Sequence, residues 1–332
     1  MTARIIAGPP PARRLALRIE SYGQELVILG VILLLFLVVG LINPRFLSHT
    51  NLISIFAGNA YVAVAAIGMS LVIISGHIDV SVGSLIGVLA TISGTLAVEG
   101  YPVVVAWLAP LVIGIAINAF VGLLVAYARI PSIVTTLGML SILKGGLISV
   151  TGGAWITNLP RGYLIAQFRL LGIPLPIYAM VILTILAALW ARHARFGRTI
   201  YAIGGNPEAA RVSGIRIQPS VVAVFAIHGL FAGIASVLFA TQLQVIQSTV
   251  PPNLELTVIT ASVVGGVSIL GGVGTVVGST LAAILIAEIT SALVFINVSP
   301  YWTDALRGGL ILATVIADIL RRQRRAAQGW KR

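Results

Sequence analysis

Long apolar runs separated by short polar interruptions make up nearly the whole chain. A run of about 20 apolar residues crosses a hydrocarbon core as a helix, and in lipid only helices or a closed barrel satisfy every backbone polar group. The runs here are long and continuous, which selects helices. Breaks at proline, glycine and charge clusters predict ten spans near 26–42, 52–75, 80–98, 104–127, 133–150, 176–191, 220–243, 255–270, 276–295 and 304–320. The predicted fold class is all-α, a polytopic membrane protein with about ten transmembrane helices. Its predicted organisation is an N-terminal tail over 1–25, one membrane domain over 26–320 with a prominent polar loop at 192–219, and a basic C-terminal tail over 321–332.

The cations orient this pattern, because short cytoplasmic loops retain an excess of Lys and Arg. With the N-terminus inside, Arg129, Arg192, Arg195, Arg198, Arg211, Arg216 and the basic residues of both tails fall inside, whereas only Arg45, Arg161 and Arg169 fall outside. Both termini are therefore expected in the cytoplasm of a bacterial cell, with the chain in its inner membrane. An error at the weak span 255–270 would break the alternation downstream. The stretch Leu26–Ile42 is longer than a usual signal-peptide core and Asn43-Pro44-Arg45-Phe46 offers no small-residue cleavage site, so a retained first helix is expected.

Composition narrows the function. Of 332 residues, 58% are hydrophobic and 9% charged, far from the roughly one-quarter charged content of a soluble domain. The net charge of +12 sits in clusters between apolar runs and forms no stripe for nucleic acid. The chain has no cysteine, and its four histidines and nine acids show no metal-ligand spacing, so neither metal nor cofactor is expected. No cluster of nucleophile and base marks an enzyme, and no soluble domain of useful size exists to hydrolyse a nucleotide.

Several segments carry candidate chemistry. Within the 192–219 loop, Gly205-Asn206-Pro207-Glu208-Ala209-Ala210-Arg211 through Gly214 reads as a short helix. Asn206 suits its N-cap, Pro207 the first helical position, Glu208 the positive dipole end and Gly214 a left-handed stop. A seat for a cytoplasmic partner and a plain capped loop helix remain equal readings on composition alone. Asp79 lies between two spans, either as the cap of a helix opening at Val80 or as a functional acid at membrane depth. His77 beside it is a neutral interfacial histidine or a pH-sensitive one. Gly265–Gly274 lacks the Lys-Ser/Thr pair of a P-loop and suits close helix packing. Glu288 and Lys144 lie within spans, where charges face the bundle interior and pair, with one another as candidate partners. Asn59, Asn118 and Gln242 are further candidates for a solute path or for hydrogen bonds between helices. In the loop 151–175, Trp155, Tyr163 and Phe168 suit an interfacial belt or a partner surface. Val82-Gly83-Ser84 is echoed by Val277-Gly278-Ser279, each opening a predicted helix.

Three of these segments resemble one known family. Gly197–Ile215 is similar to the cytoplasmic loop of permeases in the ribose, xylose and arabinose branch of ATP-binding-cassette importers, and Glu208-Ala209-Ala210 with Gly214 matches the opening of the broader EAA loop, whose later part is not recognisable. Gly68–Ser84 resembles the family's Gly-Gly-Ile-Asp-Leu-Ser-Val-Gly-Ser segment, with His77 in place of a glycine and Val80 of a leucine. Gly265–Thr275 is similar to its late glycine-rich junction. The resemblance implies a non-catalytic permease subunit that translocates a monosaccharide or sugar-like solute. It implies as partners an extracytoplasmic solute-binding protein, a cytoplasmic ATPase coupled through 205–214, and a second permease subunit, identical or sister. A furanose-like signalling molecule or a branched-chain amino acid stays open as solute. An ion-coupled secondary transporter or channel is the competing class, one with no need of a docking helix.

Overall fold

The computed structural model describes residues 23–249 and 251–329. Most of the predicted N-terminal tail, and residues 330–332 of the C-terminal one, lie outside the described residues. The fold is mostly helical. Among the described residues, seven helical paths are long and apolar enough to cross a membrane. They are α1 (Gly23–Ile42), the nearly continuous α2 (His49–Gly58) and α3 (Ala60–Ile74), α5 (Val103–Ala126), α6 (Ser132–Thr151), α7 (Leu175–His193), α10 (Ile217–Ala240) and α12 (Val276–Phe295). Two apolar helices are shorter, α4 (Val82–Val98) and α11 (Leu254–Val264). The remaining helices are α8 (Arg195–Gly205), α9 (Pro207–Val212) and α13 (Trp302–Gly329). Four two-residue strands pair antiparallel, β1 (Trp155–Ile156) with β4 (Ile246–Gln247) and β2 (Arg169–Leu170) with β3 (Ile173–Pro174).

The centre is α3. Its sequence is rich in alanine and carries no charge, and every residue except Tyr61 is buried. Small side chains let α10, α11 and α12 approach it closely, which in lipid replaces the hydrophobic drive that water would supply. The same device joins α5 to α10, where a Cβ on either Gly114 or Gly229 would overlap the other's carbonyl oxygen. Interhelical hydroxyl pairs add direction: Ser70 Oγ donates to Ser279 Oγ at 2.7 Å, and Thr184 and Thr280 hydroxyls lie 2.9 Å apart.

The end of the bundle carrying α8 and α9 is termed basal here, the opposite end distal. At the distal end a second core forms around Tyr163, Trp107, Leu159 and Ile246. Pro110 within α5 has no N–H to give, which frees the carbonyl of Ala106 four residues earlier. Ser93 Oγ donates to that carbonyl at 2.7 Å and in turn accepts from the Tyr163 hydroxyl at 2.8 Å. Of the loop aromatics, Tyr163 is therefore an internal strut, whereas Trp155 and Phe168 are exposed.

Three predicted spans change. The span expected over 255–270 stops as a helix at Val264, an 11-residue element about 16 Å long against a hydrocarbon core of roughly 30 Å. Glycine explains the stop, since Gly266 and, just beyond the expected span, Gly271, Gly272 and Gly274 have positive φ, which a right-handed helix excludes. The helix expected to open at Val80 opens at Val82, because Asp79 first accepts the Ser81 N–H in a turn. The span expected at 304–320 is part of α13, whose helix continues to Gly329 and takes in much of the predicted tail.

Burial pushes the Tyr163 hydroxyl up to about 12, with the Ser93 contact a smaller opposing influence. A raised value favours the neutral form in the folded state, so the contribution is complete below pH 10 and lost as pH climbs toward 12. Between those limits the wild type should lose up to about 3 kcal/mol more stability than Tyr163→Phe, measured by thermal unfolding in detergent; equal alkaline losses in both would exclude a buried neutral phenol.

Candidate functional site

The basal end presents a small helix set off from the bundle. Asn206, extended at φ −159°, accepts the Ala209 N–H at 3.0 Å and so caps α9, with Pro207 at its first position. The six-residue helix ends at Val212 and the chain turns away at Gly214 (φ +84°), after which the Ile215 N–H reaches back to the Ala210 carbonyl at 3.1 Å. Ala210 turns inward and is buried, while Pro207, Glu208, Ala209, Arg211 and Val212 are exposed. Glu208 and Arg211 pair at 2.6 Å on that surface, a contact worth at most about 1 kcal/mol in water. The pair leaves α9 a mixed-charge, solvent-facing knob with one apolar side anchored.

Beneath α9 lies a joint made of backbone. Gly204, in the last turn of α8, meets the carbonyl oxygen of Ile74 so closely that a Cβ would overlap it, and that Cβ would also stand 2.7 Å from Gly272 N. The Gly272 N–H donates to the same Ile74 carbonyl at 2.8 Å. Gly272 (φ +75°) occupies the left-handed region and its Cβ would fall 2.6 Å from Gly205 Cα. Hydrogen bonds gather other helices here. Tyr201 Oη donates to the Gly274 carbonyl at 2.9 Å, Thr275 Oγ1 to Glu25 of α1 at 2.6 Å, and Ser268 Oγ to Asp318 of α13 at 2.5 Å. Burial raises the Tyr201 hydroxyl above its ordinary value, which keeps it a neutral donor. The segments 68–84, 197–215 and 265–275, far apart in sequence, thus converge on one point.

From that point the chain continues into the turn 75–81. Asp79 is fully buried. Its Oδ1 accepts from Ser81 N at 2.8 Å and Ser81 Oγ at 2.5 Å, and its Oδ2 stands 3.5 Å from Nε2 of the buried His228 on α10. The turn is also stitched to α6: Ser132 Oγ accepts the Ile78 N–H at 3.3 Å and Thr136 Oγ1 the Val80 N–H at 3.1 Å. His77 packs against Phe225 of α10 with ring centroids 6.0 Å apart. Sequence reasoning passed over His228, although it is the one ionisable residue in the apolar run 217–240, and such a residue at membrane depth is a functional candidate by default.

The other predicted residues scatter. Asn59 and Gln242 meet at the break between α2 and α3, where Gln242 Nε2 donates to Gly58 O at 3.1 Å and Asn59 Nδ2 to Ile55 O at 3.2 Å. Both satisfy carbonyls that the break releases. Asn118 is buried in α5 against Gly229, with no hydrogen-bond partner for its amide among the described residues. Glu288 is buried in α12, its carboxylate likewise without a hydrogen bond among the described residues. Lys144 does not meet it: its side chain is exposed on α6, which is why the expected pair does not form. The two Val-Gly-Ser echoes grip opposite ends of α11, Gly83 against Leu254 and Glu255, Gly278 against the Gly265 carbonyl.

The family described as branched-chain amino acid transport system, permease component, matches residues 51–315. The autoinducer 2 import system permease protein LsrC of Salmonella typhi is 35% identical over 303 residues, 91% of this chain and 87% of that protein. Its counterparts in Escherichia coli O157:H7 and Shigella flexneri are each 34% identical over 309 residues, 91% of this chain and 89% of theirs. No solved structure gives a significant match. The chain belongs to this permease family, the membrane subunits of ATP-binding-cassette importers, and is a multi-pass protein of the inner membrane.

Proposed function

We propose that this permease carries a small sugar-like solute inward, that α9 is the seat of a cytoplasmic ATPase, and that an extracytoplasmic binding protein delivers the solute. The observation that carries the proposal is the backbone joint of Gly204, Gly272 and Ile74 directly beneath an exposed, capped helix. A partner pressing on α9 moves α8, and Gly204, where α8 meets the Ile74 carbonyl, has no side chain to absorb the motion. ATP then shifts the permease between outward- and inward-open states only through contacts that differ in strength between them. Autoinducer 2, the cargo in the relatives' name, is the first candidate solute, with ribose, xylose and arabinose as the comparison set. No covalent chemistry is assigned to the chain.

Ten passes with both termini in the cytoplasm form part of the same proposal. Support comes from the exposed Arg192, Arg195, Arg198, Arg211 and Arg216 at the basal end, as short cytoplasmic loops require. Further support is that α11 and the glycine-rich segment 265–275 together run from near β4 at the distal end to the basal joint, so the short helix does not break the alternation. A second permease subunit, identical or sister, completes the proposed importer.

In vesicles holding permease, ATPase and binding protein, uptake of labelled autoinducer 2 or of a competing pentose should require ATP. Uptake driven by an ion gradient alone, with no ATPase present, would overturn the proposal. Glu208→Lys should leave the permease inserted while ATPase co-purification and uptake fall at least about ten-fold, the scale of a lost buried charge contact at an interface; unchanged uptake removes α9 as the seat. Gly204→Ala should cost about 1–3 kcal/mol of stability by overpacking the joint and depress uptake. Gly205→Ala, whose Cβ meets nothing closer than 4.0 Å, should leave thermal unfolding near wild type.

A further inference from the structure

The coupling helix α9 has two arms, and both end on the same turn. The N-terminal arm is α8, whose Gly204 abuts the Ile74 carbonyl and lies 3.9 Å from where a Cβ of Gly76 would stand. The C-terminal arm is α10, which follows α9 after four residues and holds the turn through Phe225 against His77 and His228 beside Asp79. The first arm is backbone against backbone. The second depends on two buried side chains, of which His228 is the polar one.

We infer that His228 is a positioning residue of the transport cycle, holding Asp79 so that the 75–81 turn moves with both arms of α9 and passes that motion to α6. This rests on the proposed docking of an ATPase at α9. The burial of both partners is the first argument: Asp79 Oδ2 makes no hydrogen bond among the described residues, and His228 Nε2 at 3.5 Å is its polar neighbour. A buried carboxylate deprived of its partner is strongly penalised, so the two groups stay together as the helices shift. Room for the ring is the second. Gly68 on α3 leaves the space, since a Cβ there would stand 2.6 Å from His228 Nδ1 and 2.9 Å from Phe231 Cβ. The output is the third. Ile78 and Val80, on either side of Asp79, donate backbone N–H groups to Ser132 and Thr136 in the first two turns of α6. That helix is the least buried of the seven spans and exposes Gly138, Ser141 and Lys144 along its length. A turn fixed to α6 at two points cannot tilt without carrying the start of α6 along.

The test is the number of ATP molecules hydrolysed per solute imported by the assembled importer in vesicles, with labelled autoinducer 2 and labelled ribose as probes. Misfolded importer lowers uptake and stimulated hydrolysis together and leaves that ratio unchanged, so the ratio separates positioning from mere stability. His228→Ala should raise it about ten-fold, the scale of a broken coupling between sites. His228→Gln, which keeps an N–H donor at similar reach, should stay nearer wild type. If His228→Ala does not assemble, His228→Leu and Asp79→Asn carry the same comparison. Because the two residues act as one unit, Asp79→Asn combined with His228→Ala should be no worse than the more severe single variant. A His228→Ala ratio within about two-fold of wild type, or a double variant whose effect is the product of the singles, overturns the inference. Failure of the docking proposal itself is distinguishable, because there Glu208→Lys retains both its ATPase and its uptake whatever His228 does.

Discussion

Where α8 meets the segment 265–275, two backbones touch with no side chain between them. Gly204 lies against the Ile74 carbonyl, and Gly272 donates its N–H to that same oxygen. Protein interiors yield little under compression, and a contact without rotamers has fewer ways to relax than one made by long side chains. The carbonyl of Ile74 sits at the end of the most buried helix in the chain, so what happens at α8 reaches the centre without crossing a soft layer. The hydroxyl and carboxylate contacts of Glu25, Tyr201 and Asp318 then brace the same segment from α1, α8 and α13. Each is an ordinary hydrogen bond, and each depends on the glycines having brought the backbones into register.

Much of this was legible in the residues, and the illegible part has physical causes. The span expected over 276–295 coincides with α12, because a twenty-residue, predominantly apolar run behind a threonine cap admits one reading. The Asn206, Pro207 and Gly214 punctuation of α9 was equally plain, since capping is a local matter between a side chain and a backbone three residues on. The stretch 255–270 was misleading because apolarity measures affinity for lipid, whereas the φ angles of its glycines decide whether a helix continues. Lys144 and Glu288 looked like partners because sequence gives depth along a span and not the face presented. His228 escaped because its meaning lies in a residue 149 positions away, Asp79, and one sequence does not display that proximity.

The polar groups within the bundle sort by what surrounds them. Asp79 has a polar shell of Ser81 and His228, in a turn where backbone N–H groups are already committed to α6. Gln242 and Asn59 serve a helix break, a structural task that any broken helix at membrane depth must solve. The chemistry of lipid burial thus accounts for the two amides fully, and for the acid only in part. An Asp79 needed merely to start α4 would be satisfied by Ser81; its second oxygen faces a histidine from another helix.

The packing of α3 also bears on where a solute passes. With every residue but Tyr61 buried and α10, α11 and α12 pressed against it, α3 presents no open face to a solute. A path along an outer face is the alternative, and on the proposed reading a second permease subunit closes it. Among the seven spans, α6 is the least covered by its own chain, and it exposes an ammonium at Lys144 where lipid would be a poor neighbour. The same helix is tied at its start to the turn that holds Asp79. The element best placed to border a solute is therefore the one the basal joint is best placed to move, and this links the backbone contact of three residues to transport.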